Sequence, residues 1–149
     1  MGTTSSVIDA AVDDLMNKMM NATTLGTFAT VLERDEHPAV AAERGQLPIG
    51  YVLPIIEDGD AINMTMGGPQ CFHTFSMTAL AYYRGDDTTL QSDLRTTRDY
   101  AYNFIDLFRT GNYCQSAQVT GAKVDVGYWI GGTFPIHYWV CKLSMKLAV

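Results

Sequence analysis

Hydrophobic and polar positions alternate along this chain with two different periods, and each change of period marks an element. Ile8, Ala11, Val12, Leu15, Met16 and Met19 recur at three- and four-residue intervals, with Asp13, Asp14, Asn17 and Lys18 between them. That stripe predicts an amphipathic helix from about Val7 to Met20. Ser6 followed by Asp9 has the spacing of a capping box, whose hydroxyl and carboxylate satisfy free N–H groups of the first turn. A second stripe, Leu90, Leu94, Ala101, Ile105 and Phe108, predicts a helix of about twenty residues, capped by Thr88 or Thr89 and stopped by a left-handed Gly111.

Elsewhere the period is two. Residues 27–32 (TFATVL) are short and β-branched, and Ile49 to Ile56 reads as a second strand, with a helical turn between them within Ala39–Gly45. Pro54 cannot donate a ladder hydrogen bond, so the second strand belongs at an edge or carries a bulge. Phe75, Met77, Ala79 and Ala81 alternate with Thr74, Ser76, Thr78 and Leu80, the pattern of a strand with one buried face that stops at residues 84–87 (RGDD). Val124, Val126, Tyr128 and Ile130 alternate with Lys123, Asp125 and Gly127. After a turn at residues 131–135, Trp139, Cys141, Leu143, Met145, Leu147 and Val149 share one face of a last strand. Tyr138, Lys142, Ser144 and Lys146 take its other face. Residues 57–68 read as a loop or a loosely paired ribbon.

The order is α-β-β-β-α-β-β, with hairpin-like links between strands two and three and between the last two. It predicts an α+β fold, a mostly antiparallel sheet of about five strands with two main helices packed on it. No repeat or linker divides the 149 residues, and one domain spans 1–149.

Composition narrows the chemistry. With 47% apolar and 17% charged residues the chain is expected to be a soluble globular one, with no membrane-spanning run and no export signal. Its first six residues, MGTTSS, fit the myristoylation pattern only formally, since so short a pattern arises often by accident. Sixteen acids against 10 bases give a net charge of −6, which argues against a surface that reads nucleic acid. Cys71, Cys114 and Cys141, odd in number and widely spaced, fit reduced thiols and no disulfide framework.

Candidate reaction centres are few. Cys71 and His73 stand at i and i+2, but at strand spacing the two side chains are rooted about 6 to 7 Å apart, so a small buried thiol beside a half-exposed imidazole is the simpler reading. Zinc ligation would need distant residues such as Cys71, His73 and Cys141, because no H-x-x-x-H or C-x-x-C pair exists. Glu57, Asp58 and Asp60 around Gly59 lack the spacing and terminal Glu of a calcium loop. The Gly pairs of residues 67–68 and 131–132 lack the context of a phosphate cradle, and no G-x-S-x-G nominates a serine. Neither a catalytic residue nor a metal or cofactor is expected.

The segments VIDAAVDDLMNKMM (7–20), CFHTFSMTALAYYRG (71–85), LRTTRDYAYNFIDLFR (94–109), VTGAKVDVGYW (119–129) and IHYWVCKLSMKLAV (136–149) together resemble the tail terminator proteins of long-tailed bacteriophages. The resemblance lies in the element order of the whole chain, as that family has no short signature. It implies a virion structural protein, not an enzyme. Such proteins form a ring, commonly hexameric, that caps the head-proximal end of the tail tube, stops its polymerisation and joins it to the head connector protein. The expected partners are copies of the chain, the tail tube protein and the connector. DNA would pass through the lumen unread, with assembly in the host cytoplasm. The Met-rich stretch INMTMGG (62–68) is the kind of adaptable apolar surface that packs on a partner. Asp58, Asp60, Met64, Met66 and His73 are accordingly the candidate interface residues. Another neck, tail-completion or baseplate role is the alternative within this class. A small enzyme dependent on zinc or on Cys71 and His73 is the alternative outside it.

Overall fold

Two stretches of thirteen or more residues with strand periodicity meet in the middle of the molecule. The computed structural model describes residues 4–43, 45, 47–55, 61–64 and 71–148. In it β4 (Cys71–Arg84) lies antiparallel to β7 (Ile136–Ala148), in register from Phe72 opposite Ala148 to Arg84 opposite Ile136. β6 (Ala117–Trp129) extends the sheet beyond β7 as the second arm of a hairpin, followed by the two-residue β5 (Tyr113–Cys114). On the other side of β4 lies β2 (Ile49–Ile55), and beyond it β1 (Thr30–Leu32), which runs parallel to β2. The order is therefore β1-β2-β4-β7-β6-β5, with β3 (Ala61–Met64) paired to the first residues of β4. Because β7 occupies one edge of β4, β3 and β2 share the other edge in succession.

The expected α+β architecture holds, with more strands than the period suggests. β5 is too short to show an alternation, and β3 turns the expected ribbon at 61–64 into a ladder. β1 is shorter than the expected 27–32. The helical turn after it is α2 (Pro38–Glu43). Pro54 pairs with Met77 of β4 and sits past the reach of β1, which covers β2 only from Ile49 to Tyr51, so no described strand lies on its other side.

Helices α1 (Thr4–Asn21) and α3 (Leu90–Asp106) pack on one face of the sheet. Ala11, Val12, Leu15 and Met19 of α1 and Ala101 and Phe104 of α3 are fully buried there. They meet Phe75, Met77, Ala79 and Ala81 of β4 and Trp139, Cys141, Leu143 and Met145 of β7, the alternate residues that the two-residue period picked out. Each large aliphatic side chain so buried contributes roughly 1.5 to 3 kcal/mol. Asp14 ties α1 to the far end of the sheet: its Oδ2 accepts from Lys18 Nζ at 2.6 Å and from the Gln115 N–H at 3.2 Å. Gln115 has φ 55°, the left-handed bend that reverses β5 into β6.

Several expectations are corrected. α1 already runs at Thr4, so Ser6 lies inside the helix and the Ser6–Asp9 box does not start it. α3 ends at Asp106 in a tightened turn, where Leu107, Phe108 and Arg109 donate to carbonyls three residues back. Gly111 does not adopt a positive φ and is no left-handed stop. Ile130 lies past the end of β6 and is 58% exposed; of the expected alternation, Val124 and Val126 pack partway against the first core. Leu147 and Val149 have side chains outside the described residues.

The largest correction concerns β4. Its second face, expected to be polar and open, is also buried from Thr78 to Tyr82. Leu80 and Tyr82 join Ile49, Tyr51 and Ile136 in a second, smaller core that Ala41 of α2 closes over. No strand among the described residues pairs with the outer edge of β6 between residues 120 and 129. The bulge between Val119 and Gly121, with Lys123 and Asp125 beyond it, restricts pairing there.

One buried hydrogen-bond chain joins the layers. Trp139 Nε1–H donates to Tyr83 Oη at 2.9 Å, and the Tyr83 hydroxyl donates to the Leu25 carbonyl at 2.6 Å, in the short 3-10 turn Thr23–Leu25. Burial pushes the Tyr83 phenol well above its ordinary range, so it stays a donor at any physiological pH. Tyr83→Phe removes both bonds and leaves the indole N–H without its acceptor. We expect a loss of about 2 to 3 kcal/mol in urea unfolding, from one net hydrogen bond and one orphaned buried donor. A loss below about 0.5 kcal/mol, the usual range of a neutral surface change, would show that the chain does not hold the layers together.

Candidate functional site

The face of the sheet away from α1 and α3 carries an aromatic-lined cleft. Its floor is Leu53, Thr78, Leu80 and Val140, which the register sets in a row across β2, β4 and β7. Tyr82, Tyr138, Trp129 and Tyr128 stand around one end, and Asp35, before α2, and Pro38, its first residue, close it. The cleft measures about 330 Å³, the lower end of the size range of small-ligand pockets.

The charged run ERDEHP (33–38), legible as a strand stop, has a second use. Glu36 is drawn onto the sheet. Its Oε2 accepts from the Tyr51 hydroxyl at 2.7 Å, its Oε1 pairs with Arg34 at 3.1 Å, and its carbonyl accepts from the Tyr82 hydroxyl at 2.7 Å. Two tyrosines of adjacent strands thus clamp this segment over the second core, and their rings meet edge to face at 5.5 Å. Tyr82 in turn meets Tyr138 edge to face at 6.4 Å, and Trp129 meets His37 at 5.3 Å. His37 is held by the Ala39 N–H, which donates to Nδ1 at 3.1 Å.

The electrostatics of this cleft are negative. Burial first, then Asp35, Tyr138 and Glu36, push the Tyr82 phenol well above its ordinary range. Glu36 is neutralised by Arg34, whereas Asp35 is exposed at the rim and makes no hydrogen bond or ion pair among the described residues. At the floor, Thr78 is 8% exposed and its Oγ1 finds no hydrogen-bond partner among them. Electron-rich ring faces beside an unpaired carboxylate attract organic cations and repel anions.

A second polar feature lies on the helix side, at the start of α3. His137 is 1% exposed, and neither ring nitrogen makes a hydrogen bond among the described residues. Its Nε2 stands 3.5 Å from Asp93 Oδ2, an oxygen that accepts from the Thr89 hydroxyl at 2.7 Å and the Asp86 N–H at 3.1 Å. The imidazole fills the space a side chain on Gly85 would need, so this position requires glycine. A small cleft of about 200 Å³ lined by Arg84, Asp93, Thr96, Thr97 and Tyr100 opens beside it.

The residues expected from the sequence fall elsewhere. Asp58, Asp60 and Met66 lie outside the described residues. Met64 ends β3 opposite Cys71, and His73 stands opposite Ile62 and Leu147, so the backbone brings Met64 and His73 onto neighbouring strands. Their side chains, with that of Cys71, are outside the described residues. Cys141 is paired with Ala79, six residues along β4 from His73 and roughly 20 Å away, too far to share a metal with it. Burial pushes the Cys141 thiol up to about 12 and the Cys114 thiol to about 11, so both stay protonated. Among the described residues no three His, Cys, Asp or Glu side chains stand together as metal ligands, and no helix is long and apolar enough to cross a membrane.

Sequence reasoning missed the aromatic cleft. The available signal was the placing of Tyr51, Tyr82, Trp129 and Tyr138 at strand positions whose neighbours point into the first core. No protein-family model and no curated protein matches this sequence.

His137 carries a pH prediction. Desolvation lowers its pKa below the usual 6.5, against the opposing pull of Asp93. The groups facing it are Asp93 of α3, Arg84 of β4, Tyr128 of β6, and Tyr83 and Tyr100 on the helix side. The unfolded chain then binds the proton first as pH falls, so the stability present above about pH 6.5 is lost progressively below it. Urea midpoints at pH 7.5 and 5.5, with the His137 ring followed by NMR, check this: the ring titrates below the ordinary histidine range and the midpoint falls at pH 5.5. A ring already protonated at pH 6.5 would refute it.

Proposed function

We propose that the chain is a structural subunit of a virion, a tail terminator that assembles head to tail into a ring at the head-proximal end of a phage tail tube. One observation carries this reading: large apolar side chains are left exposed at two separate places on the described surface. Tyr128 and Ile130, 47% and 58% exposed, lie at the end of β6, and Tyr102, 57% exposed, lies on the outer side of α3. A ring needs two unlike patches per subunit, each meeting the other on the next copy. The α+β architecture and its element order support the same reading, as the resemblance implies.

The ring would stop tube growth by occupying the end on which the next tube subunit adds, and would offer its free side to the head connector. Affinity would come from repeated subunit contacts, with no reaction performed. The protonated Cys114 and Cys141 thiols fit this better than a thiol enzyme. In this role the protein resides in the virion neck, after assembly in the host cytoplasm.

Light scattering after size exclusion gives the ring mass, and electron microscopy of tail tubes grown with and without the protein gives the length distribution. A closed oligomer of about six copies that sits on one end of each tube and narrows its length is expected. Tubes that elongate equally with and without the protein would overturn the reading.

A further inference from the structure

We infer that the aromatic cleft is a socket for an arginine side chain from α3 of a second copy of this chain, an inference that rests on the ring reading and names its contact. The socket is built for a guanidinium. Tyr82, Tyr138 and Trp129 line it with aromatic rings, Asp35 offers a carboxylate without an ion pair among the described residues, and the buried Thr78 Oγ1 at the floor has no hydrogen-bond partner among them. Guanidinium groups stack on aromatic rings and bond to carboxylates in the same pose, which an ammonium does less well.

The chain itself carries the complement. Among the described arginines, Arg34 pairs with Glu36, Arg109 pairs with Asp106, and Arg84 lies over the Phe134 ring at 4.3 Å. Arg95 and Arg98 make no ion pair and are exposed. With Tyr102 they recur at three- and four-residue spacing, on the side of α3 opposite Thr97, Ala101 and Phe104, which face the core.

Topology forbids the contact within one molecule and favours it between two. α3 lies on the helix side of the sheet, and the cleft opens on the other side. An arginine of one copy entering the cleft of the next leaves that copy's own arginines free for a third. Such a contact is heterologous, and it closes into a ring when the rotation between copies allows. Tyr102, exposed beside the arginines, then supplies an apolar contact on the inserting partner.

Charge exchange tests this. Asp35→Arg and the double variant Arg95→Asp with Arg98→Asp change exposed positions outside both cores, and circular dichroism confirms that each folds. By sedimentation velocity, each variant alone is expected to self-associate at least about tenfold more weakly than the wild type. An equimolar mixture of the two is expected to regain association, because each variant then offers what the other lacks. Variants that associate like the wild type, a mixture as weak as its components, or a wild type that stays monomeric at about 1 mM would each overturn the socket. Tube capping separates the two readings. Rings that cap tubes but ignore the charge exchange overturn the socket alone, and rings that obey it but never cap tubes overturn the tail reading alone.

Discussion

The pairing of β4 with β7 is the constraint on which the rest depends, since it runs unbroken from Phe72 opposite Ala148 to Arg84 opposite Ile136. With a two-residue side-chain period, fixing this register fixes the face of every residue on both strands. A slip of one residue would bring Ser144 and Lys142 into the first core in place of Met145, Leu143 and Cys141. β2 and β6 inherit their faces from this pair, through Val52 opposite Ala79 and Val124 opposite Cys141. The helices then have one apolar face to land on. Trp139 and Tyr83 mark that face with a hydrogen bond that only the correct register permits.

The same register makes the sheet two-sided. On the helix side the alternate residues of β4 are small or flexible, Ala79, Ala81 and Met77, which lets α1 and α3 approach closely. On the other side the partners are Leu80, Tyr82, Tyr51 and Tyr138, too large to leave in water and too few to need a second long helix. A six-residue helix and one charged segment suffice. The tyrosines solve two problems together: their rings help fill the second core, and the Tyr51 hydroxyl donates to the Glu36 carboxylate while the Tyr82 hydroxyl donates to the Glu36 carbonyl, groups that would be costly so close to that core without donors. The cleft is what remains where this cover stops.

Most of the first core was legible because periodicity reports burial on one face. Ala11, Val12, Leu15 and Met19, and the alternations from Phe75 to Ala81 and Trp139 to Met145, follow from spacing alone. The second core was not, because Thr78 and the tyrosines are compatible with either an exposed or a buried face, and what decides is a cover supplied from forty residues away. Helix limits were read early or late where one residue type was given one meaning. Ser6 serves inside α1 as readily as before it, and Gly111 follows a helix that has already ended through backbone bonds of its own. The interface candidates drawn from the Met-rich stretch and the Cys71–His73 pair concern β3 and the start of β4. The cleft and its arginine complement lie at the other end of the sheet and need tertiary structure to be seen.

A chain with a net charge of −6 repels its own copies at long range, so a self-assembling surface must overcome that with short-range complementarity. At physiological salt the repulsion fades within about 8 Å, whereas a stacked and paired guanidinium acts at contact and in partial exclusion of water. The arrangement of charge in the fold has this form. Asp35 at the cleft rim and Arg95 and Arg98 on α3 lie on opposite sides of the sheet, too far apart to cancel within the molecule, and the proposed contact would let them cancel between molecules. Under that proposal, partners that lie on different sides of the sheet leave each copy one free socket and one free arginine for the next.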